Sequence, residues 1–386
     1  MGNIQKRGNG SYLLSVQVGA KQGKKIRKTK TVKAKNKAEA MQKLAEFERE
    51  IETGTYIDSS KMTLEEFLEL WLEEHVQRRL SPTTASNYRK LIESRINKQI
   101  GHIKLQQLQP IQIIKFYNYL EEKTSLGMSS ILKYHRILSS ALQDSVQWQL
   151  RYDNPCRRVK APTAKRKKAK FYDLEKVLRL FTFLDNEKLK FRLITYISVT
   201  TGMRRGEILA LKWSDFNSEY KNINVENNLV YVAKKGQIKK QTKNEEERKL
   251  VLPDFVSKLL KNYKTEQNIQ KIKKAHIWED DYVFTQWNGK PMHVDSVSNW
   301  FSKFIEKNNL PYINFHGMRH TAASLLLHSG ITFTQLSEIL GHKDKTTTMN
   351  IYSHMIAGSE QKAADIMQNL LFTQGNGQQL DNKTGD

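Results

Sequence analysis

Four polar windows in the second half of the chain hold the side chains best suited to chemistry. They are TTGMRRGEILALKWSD (200–215), KKQTKNEEERKLVLP (239–253), HGMRH (316–320) and LGHKDKTTTMNIYSH (340–354). Guanidinium groups stay charged at any physiological pH and present planar forks that match phosphate oxygens. A tyrosine hydroxyl can attack phosphorus if a proton acceptor and a cationic surround are supplied. Each window alone also has an ordinary reading. Arg204 beside Arg205 is surface charge on a helix, His342 after Gly341 is a helix cap, and Tyr352 is one of 15 tyrosines. HGMRH spaces its histidines as a helical zinc site does, but it lacks the glutamate after the first histidine that a metalloprotease pattern needs.

Taken in order, the windows resemble the tyrosine recombinase (phage integrase) family, whose signature is an arginine, a lysine, His-x-x-Arg, a second histidine and a tyrosine nucleophile. TGMRRGE supplies Arg204, HGMR supplies His316 and Arg319, LGH supplies His342, and TTTMNIYSH places Tyr352 at the nucleophile position. The lysine is less sharply marked. The family carries it on a β-hairpin before an arginine; Lys243 precedes Arg248 at a spacing the family uses, with Lys240 and Lys239 as alternatives. Glu207 sits where the family commonly has an acid, and is expected to orient the site by accepting hydrogen bonds.

Strand cleavage by phosphoryl transfer builds negative charge on the non-bridging oxygens while attack and departure run in line. Arg204 and Arg319 would meet that charge, with His316 and His342 adding hydrogen bonds. His316 is the expected general base for Tyr352. Lys243, its pKa lowered among other cations, is the expected acid for the leaving 5′ oxygen. His320 and His354 are expected to be structural or surface residues. The window around Tyr352 is expected to be polar because it must deliver a hydroxyl to a phosphate and not fill a core. A phosphotyrosine link conserves the phosphodiester energy, so the resemblance implies neither metal nor nucleotide cofactor.

The elements that must position these residues suggest a multidomain α+β chain. In 1–56, GSYLLSVQVG alternates like a half-buried strand, KKIRKTKTVKA is a second strand, and NKAEAMQKLAEFEREIETG is a helix from the Asn36 cap to Gly54. The first forty residues carry eleven Lys and Arg and one acid. With Lys24, Lys25, Arg27 and Lys28 this sheet could lie in a DNA groove. Residues 63–155 read as an all-helical unit in which Thr83, Thr84, Tyr88, Arg89, Lys133 and Arg136 are candidate phosphate contacts. Residues 156–170, with Arg157, Arg158 and no acids, read as a basic extended linker. Residues 171–375 form a mixed, mainly helical domain with a small antiparallel sheet, and 376–386 a disordered tail. By resemblance the first unit is an arm-type and the second a core-type DNA-binding domain. SEQKAADIMQNLLF has helical spacing at Ala363, Ile366, Met367 and Leu370, and would pack on a neighbouring protomer or within its own domain.

Charge agrees with a polyanionic partner: 64 Lys and Arg against 40 Asp and Glu give a formal +24 over 386 residues. The single cysteine, Cys156, excludes an internal disulfide and a thiolate zinc site. No apolar run is long enough to span a bilayer, and a cytoplasmic protein is expected. The resemblance implies a metal- and ATP-independent recombinase acting as a homotetramer on double-stranded attachment sites, with accessory bending and excision proteins. A DNA-binding regulator without chemistry would have no reason to keep the six catalytic-type residues. A relaxing topoisomerase would have no use for a separate arm-reading unit.

Overall fold

In the first unit the apolar positions alternate along one strand, and burial alternates with them: Tyr12, Leu14 and Val16 are buried in β2 (Ser11–Lys21) while the residues between face outward. The computed structural model describes residues 2–8, 10–21, 24–53, 61–164, 169–233, 235–241, 248–278, 281–341 and 345–352. Lys243, His342, His354 and everything from 353 onward, including the expected C-terminal helix and tail, lie outside the described residues. β2 is the centre of an antiparallel sheet ordered β1 (Gly2–Gly8), β2, β3 (Lys24–Lys33). No apolar alternation marks β1; Ile4, its one large apolar residue, aligns with Leu14. Helix α1 (Lys37–Glu52), capped by the Asn36 side chain, closes the buried face with Ala40 and Phe47.

This register separates the basic candidates. Val16 aligns with Lys28 and Leu14 with Lys30, on the face that α1 covers; Lys30 there pairs with Glu50 at 2.9 Å. Gln17 aligns with Arg27, Ser15 with Thr29 and Leu13 with Thr31, on the open face. Arg27 is therefore on the open side and Lys28 on the other. The side chains of Lys24 and Lys25 lie outside the described residues.

The helical unit starts at α2 (Leu64–Trp71), where Thr63 and Glu66 form a reciprocal cap. It continues through a π-type turn, Leu72–Val76, into α3 (Gln77–Arg79). Then come α4 (Pro82–Leu91), with the Ser81 cap and Pro82 in its first turn, α5 (Pro110–Glu122) and α6 (Met128–Gln147). Phe67, Trp71, Ile96, Phe116, Ile137 and Leu138 share its core, and the Trp71 indole donates to Asp144 at 2.6 Å. This core reaches past 155. A short 3-10 turn, Pro155–Arg158, buries Cys156, and Val159 follows it in, so the basic segment begins as packed structure.

Several candidate phosphate contacts here already have partners in the fold. Arg89 donates to Glu69 at 2.9 Å and to Glu93 at 3.2 Å, Thr84 bonds Ser81, Tyr88 stacks on Trp71, and Arg158 pairs with Asp153. Arg136 and Arg157 instead line one cavity of about 420 Å³ with His135, Ser139 and Gln143. Lys133 is exposed one helical position short of the core residue Tyr134.

The C-terminal unit carries α7 (Leu174–Leu184), α8 (Leu189–Thr201), α9 (Arg205–Ala210), α10 (Asp254–Lys273), α11 (Val294–Lys307), α12 (Gly317–His328), α13 (Phe333–Leu340) and α14 (Lys345–Tyr352). The expected sheet is two separate antiparallel ladders: β4 (Asn222–Val225) with β7 (Arg248–Val251), and β5 (Asn227–Val232) with β6 (Gly236–Gln241). Leu193, Ile197, Ile208, Val256, Phe284, Phe301 and Met318 belong to one shared core.

α9 lies so close to β5 that only glycine fits at the contact. A Cβ on Gly206 would sit 2.1 Å from the Asn228 Oδ1 and 2.4 Å from the Leu229 carbonyl oxygen. The amide could rotate away, but the backbone carbonyl cannot. Gly206→Ala is expected to push α9 off the ladder and cost about 1–3 kcal/mol, read as a lowered urea midpoint at unchanged m-value. Among the described residues no helix is long and apolar enough to cross a membrane.

Candidate active site

Helix ends converge on one cationic cluster. α8 stops at Gly202, whose left-handed backbone (φ 66°) only glycine adopts without strain, and the chain turns into Met203 and Arg204. A Cβ there would also meet Leu340 Cδ2 at 2.5 Å. Arg204 is the cap residue of α9: its backbone N–H donates to Glu207 Oε2 at 2.9 Å and its guanidinium to Oε1 at 2.7 Å. A second guanidinium nitrogen donates to the Gly341 carbonyl at 3.3 Å. Arg205 turns elsewhere, to Ser298 and Asp295 of α11. One arginine of the pair thus enters the cluster and the other fastens the helix behind it.

Arg319, on the first turn of α12, is only 2% exposed. Its guanidinium donates to the Gly202 carbonyl at 2.7 Å and the Leu340 carbonyl at 2.8 Å, tying together the C-terminal ends of α8 and α13. Burial, then the nearby Arg204 charge, pulls its pKa down to about 9, so it remains a cation at neutral pH. Glu207, also 2% exposed, neutralises part of this charge. Besides Arg204 it accepts from Arg248 at 2.6 Å and 3.3 Å. Burial pushes the carboxyl up, but the Arg248 and Arg204 guanidiniums outweigh it and hold it below the usual carboxylate range. Arg248, used in the sequence only as a landmark for the lysine, is thus a member of the cluster that motif reading missed.

Tyr352 departs from expectation. It is 0% exposed and packs with Ala323, Leu336 and Leu340, bordered by Phe333 and Ile351. The window is polar, yet its tyrosine does fill a core, because α14 folds back on α12 and α13 and brings the ring between them. Burial pushes the phenol up to about 12, against the opposing pull of Arg319, so the hydroxyl keeps its proton at neutral pH.

The group touching that hydroxyl is His320, not His316: His320 Nδ1 and Tyr352 Oη share a 2.7 Å hydrogen bond. His316 caps α12 one turn away, its ring edge-on to His320 at a centroid distance of 5.0 Å. It is open to solvent on one side, but the protein around it and then the neighbouring His320, Arg319 and Arg204 bring its pKa to about 4. His320 is likewise held below the ordinary histidine value by burial and then by Arg319. Both rings are neutral at physiological pH. His320, expected to be structural or on the surface, lies inside the site; it directly follows Arg319, and only the i, i+4 spacing from His316 hinted at its place.

Of the lysine candidates, Lys239 is exposed on β6 opposite Leu229, near Asp215. The Lys240 backbone pairs with Asn228, its side chain is outside the described residues, and Lys243 is wholly outside them. Among the described residues no group of three or more His, Cys, Asp or Glu is placed to hold a metal ion.

Residues 170–357 match the profile of the phage integrase family, and residues 63–121 that of the phage integrase N-terminal SAM-like domain; together they span more than half of the chain. A tyrosine recombinase XerC-like protein of Caldanaerobacter subterraneus subsp. tengcongensis is 29% identical over 96% of this chain and 99% of its own. The ICEBs1 integrase of Bacillus subtilis is 26% identical over 96% and 100%. Among solved structures, the Tn1549 transposon integrase in complex with a circular intermediate DNA superposes at TM-score 0.66 with 20% identity, covering 79% of this chain and 99% of that one. A lambda integrase tetramer bound to a Holliday junction superposes at 0.56 with 19% identity, covering 90% and 94%. With these matches over the segments that carry Arg204, Glu207, His316, Arg319 and Tyr352, the chain belongs to the phage integrase family of tyrosine recombinases.

Proposed function

We propose that this protein is a site-specific recombinase that cuts and rejoins DNA through a covalent 3′-phosphotyrosine at Tyr352, integrating and excising a phage or other mobile element. The observation that carries this reading is the convergence of three helix ends: Arg204 at the start of α9 on the buried Glu207 carboxylate, Arg319 beside them at the start of α12, and Tyr352 at the end of α14, bonded to His320 of that same α12 with the His316 ring against it. Arg204 and Arg319 hold the non-bridging oxygens of the scissile phosphate, His316 and His342 add hydrogen bonds, and Lys243 protonates the leaving 5′ oxygen. Glu207 fixes the orientation of Arg204. The 3′-phosphotyrosine stores the bond energy, so a 5′ hydroxyl from another strand can reverse the step.

Residues 1–56 act as the arm-type reader, 63–155 as the core-type clamp, and 171–375 as the catalytic domain. The partners are double-stranded attachment sites, a homotetramer assembled on them, and accessory bending and excision proteins, in the cytoplasm of a bacterial host. The Tn1549 and lambda integrases, described in complex with DNA and as a tetramer on a Holliday junction, support this assembly.

The test is a nicked suicide duplex from which the cleaved end diffuses away. Wild type should accumulate a covalent adduct mapped by peptide mass to Tyr352, and Tyr352→Phe should give none. Adduct in the Phe variant, or no adduct in wild type, rejects the reading. The clamp has its own check. Arg136→Ala with Arg157→Ala should weaken binding equally on specific and unrelated duplexes, and lower the slope of log affinity against log salt by about 2.

A further inference from the structure

We propose that His320 is a catalytic residue, the acceptor of the Tyr352 phenolic proton during strand cleavage. This rests on the recombinase reading above. In the cleavage step the Oη–H bond of Tyr352 breaks and an Nδ1–H bond forms on His320. The Oη–P bond forms as the P–O5′ bond breaks, and the 5′ oxygen takes its proton from Lys243. Rejoining reverses each transfer, so no oxidant, reductant or external base is consumed.

Three observations support the assignment. The contact is direct, 2.7 Å from Nδ1 to Oη, whereas the His316 ring meets His320 and is not in hydrogen-bond contact with the phenol. The pair is enclosed: Tyr352 is fully buried and His320 only partly exposed, so bulk water is poorly placed to take the proton. The ionisable groups facing His320 are His316 and Arg319 from its own helix and Tyr352 from α14; the charges of Arg319 and Arg204, and more weakly that of Arg205 turned toward α11, bear on His316 in turn. Cations on that side disfavour a resting imidazolium, leaving a neutral ring whose Nδ1, in the tautomer protonated at Nε2, accepts the phenolic hydrogen. Once the phenolate attacks and charge passes to the phosphate, an imidazolium at His320 gains a nearby anion, which makes proton acceptance easier as the reaction proceeds.

The experiment measures single-turnover adduct formation on the suicide duplex for wild type, His320→Ala, His320→Asn and Lys243→Ala. It uses an ordinary scissile phosphate and one with a 5′-bridging sulfur, a leaving group that needs no proton. With the ordinary phosphate, His320→Ala and His320→Asn should both be slower by about 10²–10⁴. Their rates should climb with pH over the range in which wild type is level, because hydroxide must replace the missing base. The bridging sulfur should restore Lys243→Ala and leave both His320 variants slow.

A His320→Asn variant at wild-type rate would show that only a hydrogen-bonding anchor is needed, and would overturn the proposal. So would an unchanged pH profile, or rescue of His320→Ala by the sulfur substrate. Failure of the recombinase reading looks different: no wild-type adduct at position 352 on either substrate.

Discussion

Arg319→Ala should abolish adduct formation to the limit of detection and also weaken the fold. The chemical loss follows from the charge that develops on the phosphate. One preorganised donor to such a site is typically worth about 10²–10³ in rate, and a fork bringing two parallel bonds plus a full charge lies at or beyond the top of that range. The structural loss is separate. The guanidinium holds the carbonyls of Gly202 and Leu340, at 2.7 Å and 2.8 Å, where two helices end. A buried carbonyl that loses its donor costs about 1–3 kcal/mol, so two place the loss at a few kcal/mol. Arg319→Lys separates the effects, because an ammonium keeps the charge but cannot span both carbonyls while facing a phosphate. It should recover part of the unfolding midpoint in urea and less of the adduct rate. An Arg319→Ala enzyme within tenfold of wild type would remove Arg319 from the chemistry.

The arginines were legible in the sequence because they sit in short contiguous motifs. TGMRR and HGMR fix Arg204 and Arg319 by neighbours adjacent in the chain, and those neighbours have local jobs visible on the page: Gly202 ends α8 with positive φ, and Gly206 lets α9 touch β5. The helical unit was legible through apolar spacing such as that of Phe67 and Trp71 and through Ser81 and Pro82, which act within four residues of themselves. What the sequence could not display depends on contacts remote along the chain. Arg248 joins Glu207 across 41 residues, and His320 meets Tyr352 across 32. The burial of Tyr352 depends on α14 folding onto α12 and α13, and no periodicity in TTTMNIYSH announces it. Likewise a run such as KKIRK reveals charge but not sides; only the pairing of Gln17 with Arg27 and Val16 with Lys28 divides it between the two faces.

Tyr352 buried in this way has a consequence for cleavage. The phenol rests on His320 inside an apolar pocket, and a phosphate must come to Oη, or α14 must shift, before attack.

Glu207→Ala should be the most damaging single change to stability in the catalytic unit. It removes the carboxylate that Arg204 and Arg248 share, at 2.7 Å and 2.6 Å, while Arg319 stands beside them. Breaking a buried ion pair by deleting one partner costs about 3–5 kcal/mol, because the remaining charge is left without compensation. Most of that loss falls on Arg248, whose side chain is 13% exposed; Arg204, at 38%, can turn to water. Such a loss is a large share of the roughly 5–15 kcal/mol that holds a domain together. Glu207→Gln keeps the shape and one acceptor but turns an amide N–H₂ toward a guanidinium, so it should fall between wild type and Ala.

The same carboxyl predicts an acid limb. Its folded pKa lies below the ordinary 4.5, so its contribution is complete above that value and is lost as pH falls below it. His316, brought to about 4 from 6.5, acts in the same direction between those two values. Urea midpoints of wild type should therefore decline from about pH 6.5 downward and steepen below 4.5. In Glu207→Gln the shallow part should persist and the steep part flatten. Parallel acid limbs in the two proteins would mean that this carboxylate carries none of the load that its position between two arginines implies.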